Sequence, residues 1–391
     1  MKRAAANRLL SPYRMPAEWE PHASTWLAWP HFKDDWPGKF EPIPWVYAEI
    51  IRHLARHERV ELVVNDAAAE RRAQKVLDRA NALSDNVCFH RWPTNRVWTR
   101  DSGCTFVHAS VTRAGHVQGA LPQTQGLSAP RPLSRAKGAA SVEMTDSRES
   151  TLAAITWRFN AWAKYSNYQH DEKLGARMAE AAGARIVQPT FRKKHVVLEG
   201  GSIDVNGRGT LLTTEECLLS KVQQRNPTMA RKDYEQVFAQ YLGISNVIWL
   251  GSGIAGDDTH GHVDDITRFV APDTVVTVVE AAPDDPNYEP LRENIRRLRA
   301  SSDESGNELA IVELPVPAPL IFEGRRLPAS YANFYIANGL VLVPVFNDPN
   351  DRVALDVLAD VFPDRELVGI YSGDLIWGFG ALHCMTQQQP E

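Results

Sequence analysis

"NFYIANGLVLVPVFNDPN", residues 333–350, runs on into "DRVALDVLADVF" (351–362) and then "ELVGIY" (366–371). Two apolar runs flank Ala337-Asn338-Gly339, a turn signal, so the stretch opens with a predicted β-hairpin. Asp348 can cap a helix and Pro349 suits its first position. Val353, Leu358 and Val361 fall near one face, which predicts a helix over 350–362. "ELVGIY" then supplies a further strand. The unit is therefore hairpin, helix, strand.

Working outward, the same order recurs. "VNGRG" (205–209) and "APD" (271–273) read as hairpin turns between β-like runs such as "HVVLEGGSIDV", "GTLLTT", "ITRFVA" and "TVVTVVE". Helical patterns fall at 44–57, 66–82, 170–183, 228–242 and 287–300. Hairpin, helix and strand repeated about five times is not a doubly wound sheet. It predicts a radial or solenoid-like α/β arrangement of diverged repeats. No shift in composition divides the chain, so one domain over 1–391 is expected.

Composition narrows the partners. Hydrophobic residues at 43% and charged residues at 23% are globular values. A formal charge of −5 gives no long-range attraction to nucleic acid or an anionic membrane, and mildly favours a cationic substrate. No run approaches a membrane span, and the apolar run in "MKRAAANRLLSPYRMP" is too short for a signal peptide. The four cysteines, Cys88, Cys104, Cys217 and Cys384, are scattered with no CxxC pair. That argues against a disulfide framework and points to a reducing cytoplasm. Residues 109–150 carry few large apolar side chains and much Ser, Ala, Gly, Pro and Arg. They predict a flexible insertion outside the chemistry, with a functional lid as the alternative.

Four segments stand out as candidates for chemistry. "VWTRDSGCTF" (97–106) places Trp98, Arg100 and Asp101 where a β run meets a turn. "LEGGSID" (198–204) puts Glu199 inside a strand, just before two glycines that let backbone approach something closely. "DDTHGHVDD" (257–265) packs four carboxylates and two histidines into nine residues. "DLIWGFGALHCM" (374–385) is an apolar, glycine-broken run near the end of the chain. It suggests a tail drawn into the body, with Cys384 either a small core filler or a reactive thiol. Singly, Asp101 also reads as a surface ion pair with Arg100, Glu199 as a strand-edge charge and Trp98 as core. The His–Asp cluster allows two readings. H-x-H followed by aspartates is the pattern of a zinc hydrolase, but Ile266 stands where a further histidine is needed. Alternatively His262 is a proton shuttle and Asp264 a charge anchor, on one side of an extended segment, with His260 secondary.

"MPAEWEPHASTWLAWP", "WTRDSGCTF", "WRFNAWAKY", "LEGGSIDVNGRGTLLTTEECLL", "GHVDDITRFV", "LPASYANFYIANGLVLVPVFNDPND" and "GALHCMTQQQP" occur in that order. Together they resemble the agmatine deiminases and the related bacterial peptidylarginine deiminases, from about residue 13 to 390 outside the 109–150 insertion. The resemblance implies the pentein fold, a five-bladed α/β propeller with pseudo-fivefold repeats. Two departures are Cys104, where the family usually has Pro, and the long link after "TFV".

The resemblance also implies a site and a reaction. Cys384 would be the nucleophile and His262 the proton donor and acceptor. Glu199 would orient His262, Asp101 and Asp264 would hold the guanidinium, and Trp98 would lie against the substrate. No metal or organic cofactor is implied. The expected activity is hydrolysis of agmatine to N-carbamoylputrescine and ammonia through a covalent cysteine intermediate. The alternatives are a peptidylarginine or other guanidine deiminase, an amidinotransferase and a zinc-dependent hydrolase. Agmatine is favoured because no dedicated arginine is evident to receive an arginine carboxylate; Asp34, Asp35 and Trp36 are candidates to face an ammonium. The expected partner is a small cationic guanidine, with no nucleic acid or membrane, and a homo-oligomer is left open.

Overall fold

The computed structural model describes residues 11–111 and 149–391. The fold is α/β, and its recurring element is the unit read from 333–371. Tyr335–Ala337 pairs antiparallel with Leu340–Val345, the helix Asn350–Val361 follows, and Glu366–Tyr371 returns parallel to Leu340–Val345. Gly339 takes the turn at φ +63°, a left-handed conformation that glycine adopts without steric cost. The helix starts close to prediction, with the Asn350 amide donating to Asp348 Oδ1 at 2.8 Å. Its inner face is different: Ala354 and Leu358 are buried, while Val353 is exposed.

Three further units repeat the order. Thr105–Val111 and Glu149–Ile155 are antiparallel, and Arg185–Val187 returns parallel after the helix Leu174–Ala181. Asp204–Val205 and Thr210–Thr214 form a hairpin, followed by helix Arg231–Leu242 and strand Asn246–Leu250. Thr267–Ala271 and Thr274–Val279 pair around Pro272-Asp273, followed by helix Tyr288–Arg299 and strand Ala310–Pro315. The fifth sheet joins the two ends of the chain. Gln387–Pro390 lies antiparallel to His22–Ala28, and Arg59–Val64 and Val87–Arg91 add in parallel. Middle strands such as "LVLVPV" and "TVVTVV" are buried on both faces, which is why they read as unbroken apolar runs.

Helices tie neighbouring units together. The 288–299 helix packs on Asn246–Leu250, the 350–361 helix on Ala310–Pro315, and the helix Ile43–Leu54 on Glu366–Tyr371. The 231–242 helix packs on Tyr13–Arg14, which extends the 105–187 sheet, and Gln387–Pro390 touches Thr105–Val111. Among the described residues no helix is long and apolar enough to cross a membrane.

Of the flexible insertion expected at 109–150, only the flanks lie among the described residues. Ala109 pairs with Thr151 and Val111 with Glu149, so both flanks are strand. The rest, 112–148, lies outside the described residues.

Candidate active site

All the side chains singled out at 98, 101, 199, 262, 264 and 384 converge, each delivered by a short irregular segment. Asp101 sits in a one-turn helix, Thr99–Ser102, where its Oδ1 accepts from the Gly201 amide at 3.0 Å and its Oδ2 from Trp162 Nε1 at 2.8 Å. Glu199 is not within a strand. Its backbone is extended, but it opens the 3₁₀ turn Gly200–Ser202. A Cβ on Gly201 would lie 2.6 Å from His262 Nδ1, 2.9 Å from Asp264 Oδ2 and 3.0 Å from Asp101 Oδ1. Only a glycine fits where these three side chains meet. His262 and Asp264 do not alternate along a strand either: Val263–Asp265 is a 3₁₀ turn that brings Asp264 Oδ1 to 4.0 Å from His262 Nδ1.

His262 is the centre of the cluster. Its Nδ1 is 3.8 Å from Asp101 Oδ1, and its Nε2 is 3.7 Å from Glu199 Oε2. These are ion-pair separations rather than hydrogen bonds, and both ring nitrogens are buried without a hydrogen-bond partner. Burial alone would push the imidazolium down. The negative charge of Asp101, with Cys217 and Glu199 beside the ring, outweighs burial and holds its pKa well above the usual histidine range. Burial would likewise raise Glu199, but the Arg225 guanidinium holds it below the usual carboxylate value. Arg225 Nε donates to Glu199 Oε1 at 3.1 Å, and its Nη2 donates to the Thr259 carbonyl at 2.5 Å.

Cys384 faces this cluster from the tail. Its Sγ is 3.8 Å from Asp264 Oδ2, and Asn333 Nδ2 donates to it at 3.1 Å. Burial first, then the charges of Asp264, Asp265 and Asp101, push the Cys384 thiol well above its ordinary pKa. The tail turns sharply at Phe379, at φ +66°, not at its glycines. Gly378 and Gly380 are required instead by contact: a Cβ would come within 2.7 Å of Trp36 and 2.6 Å of Trp98, respectively.

Sequence reasoning missed the layer of partners behind these groups. His383 Nδ1 lies 2.7 Å from Asp264 Oδ2 and its Nε2 lies 2.8 Å from Glu18 Oε2. Glu18 is also within ion-pair distance of Arg100, at 3.1 Å, and Arg268, at 2.9 Å. Asn333 donates to Asp265 Oδ1 at 2.9 Å as well as to Cys384. His383, Asn333 and Trp162 lie inside the motifs quoted above, so their positions were visible; only their partners, far away in the chain, were not. Arg100 belongs to this layer and not to a surface pair with Asp101.

The zinc-type reading of His260 with His262 is overturned. Left-handed backbone at His260 (φ +65°) and Gly261 (φ +93°) turns His260 away, to 3.1 Å from Ser220 Oγ. Among the described residues no group placed to hold a metal contains both histidines.

Trp98, Asp101 and Cys384 line a cavity of about 600 Å³. Its walls are aromatic, from Phe32, Trp162, Tyr165 and Trp377. No arginine dedicated to a substrate carboxylate was evident in the sequence; two arginines, Arg96 and Arg325, do line the cavity. Each is already paired, Arg96 with Asp35 and Arg325 with Asp258 at 2.7 Å. Asp258 also pairs with Lys164. Asp34 and Glu323 line the cavity too. Trp36 does not; it is fully buried against Trp98, with ring centroids 5.8 Å apart.

Residues 14–390 match the family model described as Porphyromonas-type peptidyl-arginine deiminase. The chain belongs to that family. Curated agmatine deiminases of Ectopseudomonas mendocina and Pseudomonas aeruginosa are each 32% identical to it, over 97% of this chain and 95% of theirs. The agmatine deiminase structure of Enterococcus faecalis superposes with a TM-score of 0.79 at 27% identity, covering 100% of both chains. A substrate-bound C. jejuni agmatine deiminase gives 0.77 at 25% identity, with 97% and 96% covered. The α/β fold of this deiminase family member thus matches that of solved agmatine deiminases.

Proposed function

We propose that this chain is an agmatine deiminase, converting agmatine and water to N-carbamoylputrescine and ammonia. One observation carries the reading: a buried thiol, an imidazole and carboxylates for a guanidinium meet on an acidic, aromatic cavity, in a chain of this family. Asp101 and Asp264 take the guanidinium through charge-assisted hydrogen bonds, and Trp98 lies along it. With the cation bound, the Cys384 thiol gives its proton to solvent and the thiolate becomes accessible despite the neighbouring carboxylates. Sγ attacks the guanidinium carbon, and the His262 imidazolium gives its proton to the departing nitrogen, which leaves as ammonia. The remaining amidino carbon is bonded to sulfur. Water adds to it, the now neutral His262 takes one proton, and C–S cleavage returns the thiolate and the urea product. The second water proton goes to solvent, where ammonia collects it. Glu199, held by Arg225, keeps His262 aimed and protonated for the first half.

For the far end of the substrate, the lining carboxylates Asp34, Asp35, Asp258 and Glu323 outnumber Arg96 and Arg325 and so favour an ammonium over a carboxylate. We read the five units as one domain over 1–391, closed into a five-bladed ring, an arrangement supported by the helix contacts that run from each unit to the next. Scattered free cysteines support a reducing, cytoplasmic setting. The test is kcat/KM for agmatine, free arginine and a blocked arginine peptide at matched pH and salt. Agmatine should lead by more than a hundredfold, corresponding to about 3 kcal/mol. Equal or better turnover of either other substrate refutes the assignment to agmatine.

A further inference from the structure

One buried group beside His262 neither touches the substrate nor carries a proton in this chemistry. Cys217 is 1% exposed and sits in the first turn of the helix Glu215–Leu219. It is held rigidly: its amide donates to Thr214 Oγ1 at 3.0 Å, and that hydroxyl donates to the Gly261 carbonyl at 2.5 Å. The Cys217 helix and the His262 loop are therefore clasped together. A sulfur, an imidazole nitrogen of His262 and a carboxylate oxygen of Glu199 all lie within 4.8 Å of one another. Both nitrogens of the His262 ring, itself 1% exposed, lack a hydrogen-bond partner. An unpartnered buried imidazole beside a thiol and a carboxylate is a donor set matched to a borderline-soft divalent ion.

We propose that Glu199, Cys217 and His262 form a binding site for zinc-like divalent ions, and that occupancy inhibits the enzyme by removing His262 from proton transfer. Tetrahedral zinc at about 2.0–2.3 Å from each donor needs donor separations of about 3.3–3.8 Å. The His262–Glu199 separation of 3.7 Å already meets this, and a sulfur within 4.8 Å of both donors reaches the range with a shift of no more than about 1.5 Å. Arg225 on Glu199 repels a cation, which makes the ion a dissociable inhibitor and not a resident cofactor. The site differs from a second group, Asp264, Asp265 and Cys384, whose donors also lie within 4.8 Å but which uses the nucleophile.

The inhibition rests on the deiminase reading; the binding does not, so two measurements separate them. First, Cys384→Ser protein, which lacks the nucleophilic thiol, is titrated with Co²⁺. One equivalent should give a thiolate-to-cobalt charge-transfer band, and Cys384→Ser/Cys217→Ala should give none. No band in the single variant, or a band surviving in the double variant, overturns the site. Second, zinc inhibition of agmatine turnover is compared in Cys217→Ala, Cys217→Ser and unsubstituted protein, each relative to its own zinc-free rate. Losing a ligand should weaken inhibition beyond the roughly 10–100-fold that outer-shell losses cost. Unchanged inhibition in the folded variants overturns the inhibitory role. If both Cys217 variants fail to fold, Cys384→Ser/Glu199→Gln takes their place, and unweakened Co²⁺ binding there refutes the site.

Discussion

Replacing Trp162 by Phe tests whether Asp101 is the carboxylate whose ionisation limits substrate capture. In the free protein, burial pushes Asp101 up to about 6; His262 opposes this, while Asp264 and Glu199 reinforce it. Trp162 Nε1 is one of two hydrogen-bond donors to this carboxylate, at 2.8 Å; the other is the Gly201 amide. Phe keeps most of the ring and removes the donor. A hydrogen bond to a charged group is worth about 1.5–3 kcal/mol, and one pH unit corresponds to about 1.4 kcal/mol. The acid limb of kcat/KM should therefore rise from near pH 6 by about one to two pH units. The sign follows from the chemistry: the ionised carboxylate binds the cation, so activity is full above the Asp101 pKa and is lost as pH falls through it. The assay is ammonia release from agmatine at low substrate concentration between pH 4.5 and 9, with each curve scaled to its own plateau. Scaling matters because Trp162 also lines the cavity and changes the absolute rate. An unmoved acid limb refutes the assignment of Asp101, and a limb that moves down refutes the electrostatic argument itself.

Cys384→Ser should abolish turnover while leaving the thermal melt and substrate binding by calorimetry nearly unchanged, and normal turnover would remove the covalent mechanism altogether. His383→Ala strips a partner from two buried carboxylates, Asp264 and Glu18, and should destabilise the protein by about 3–5 kcal/mol in denaturant titration; a loss below 1 kcal/mol means the bridge is not structural. Because Val111 already pairs with Glu149, a short turn in place of 112–148 should preserve folding and activity within a few-fold. A folded but inactive variant would make that segment part of the site.

The fold was legible where local chemistry and tertiary role agree. Gly339, Pro272-Asp273 and Gly207 each sit in the hairpin turns that their dipeptides announced, and the helix starts were read to within a few residues. Val353 failed because helical periodicity fixes a face only to within one position, and Ala354 took the inner one. The site was legible as residue types but not as geometry. Glu199 was placed inside a strand and Asp264 by strand alternation, whereas Glu199 precedes one 3₁₀ turn and Asp264 lies in another, which no side-chain pattern distinguishes over three residues. Arg225 sits in "QQRNP", a polar stretch with no periodic signal; what makes it functional is Glu199, 26 residues earlier. Arg96 and Arg325 at the cavity were missed for the same reason: a sequence shows a charge but not its partner.

On the proposed mechanism, that difference between charges with and without partners would also favour product release. Glu199 has Arg225, and Asp264 has His383, each within hydrogen-bond reach. Asp101 receives only neutral donors, Trp162 and Gly201, with His262 3.8 Å away. Of the two carboxylates assigned to the guanidinium it is the one without an ionisable side chain in hydrogen-bond reach, and burial raises its pKa to about 6. A guanidinium supplies that charged partner, stabilises the ionised form and so binds most tightly where Asp101 is already charged. The urea product is neutral and leaves Asp101 undersatisfied again. On this reading Asp101 contributes to both capture and release, and binding to Cys384→Ser protein measured below pH 6 should release a proton with agmatine but not with N-carbamoylputrescine. Calorimetry in two buffers of different ionisation enthalpy reads that proton directly; equal proton release for both ligands would place the missing cation elsewhere in the site.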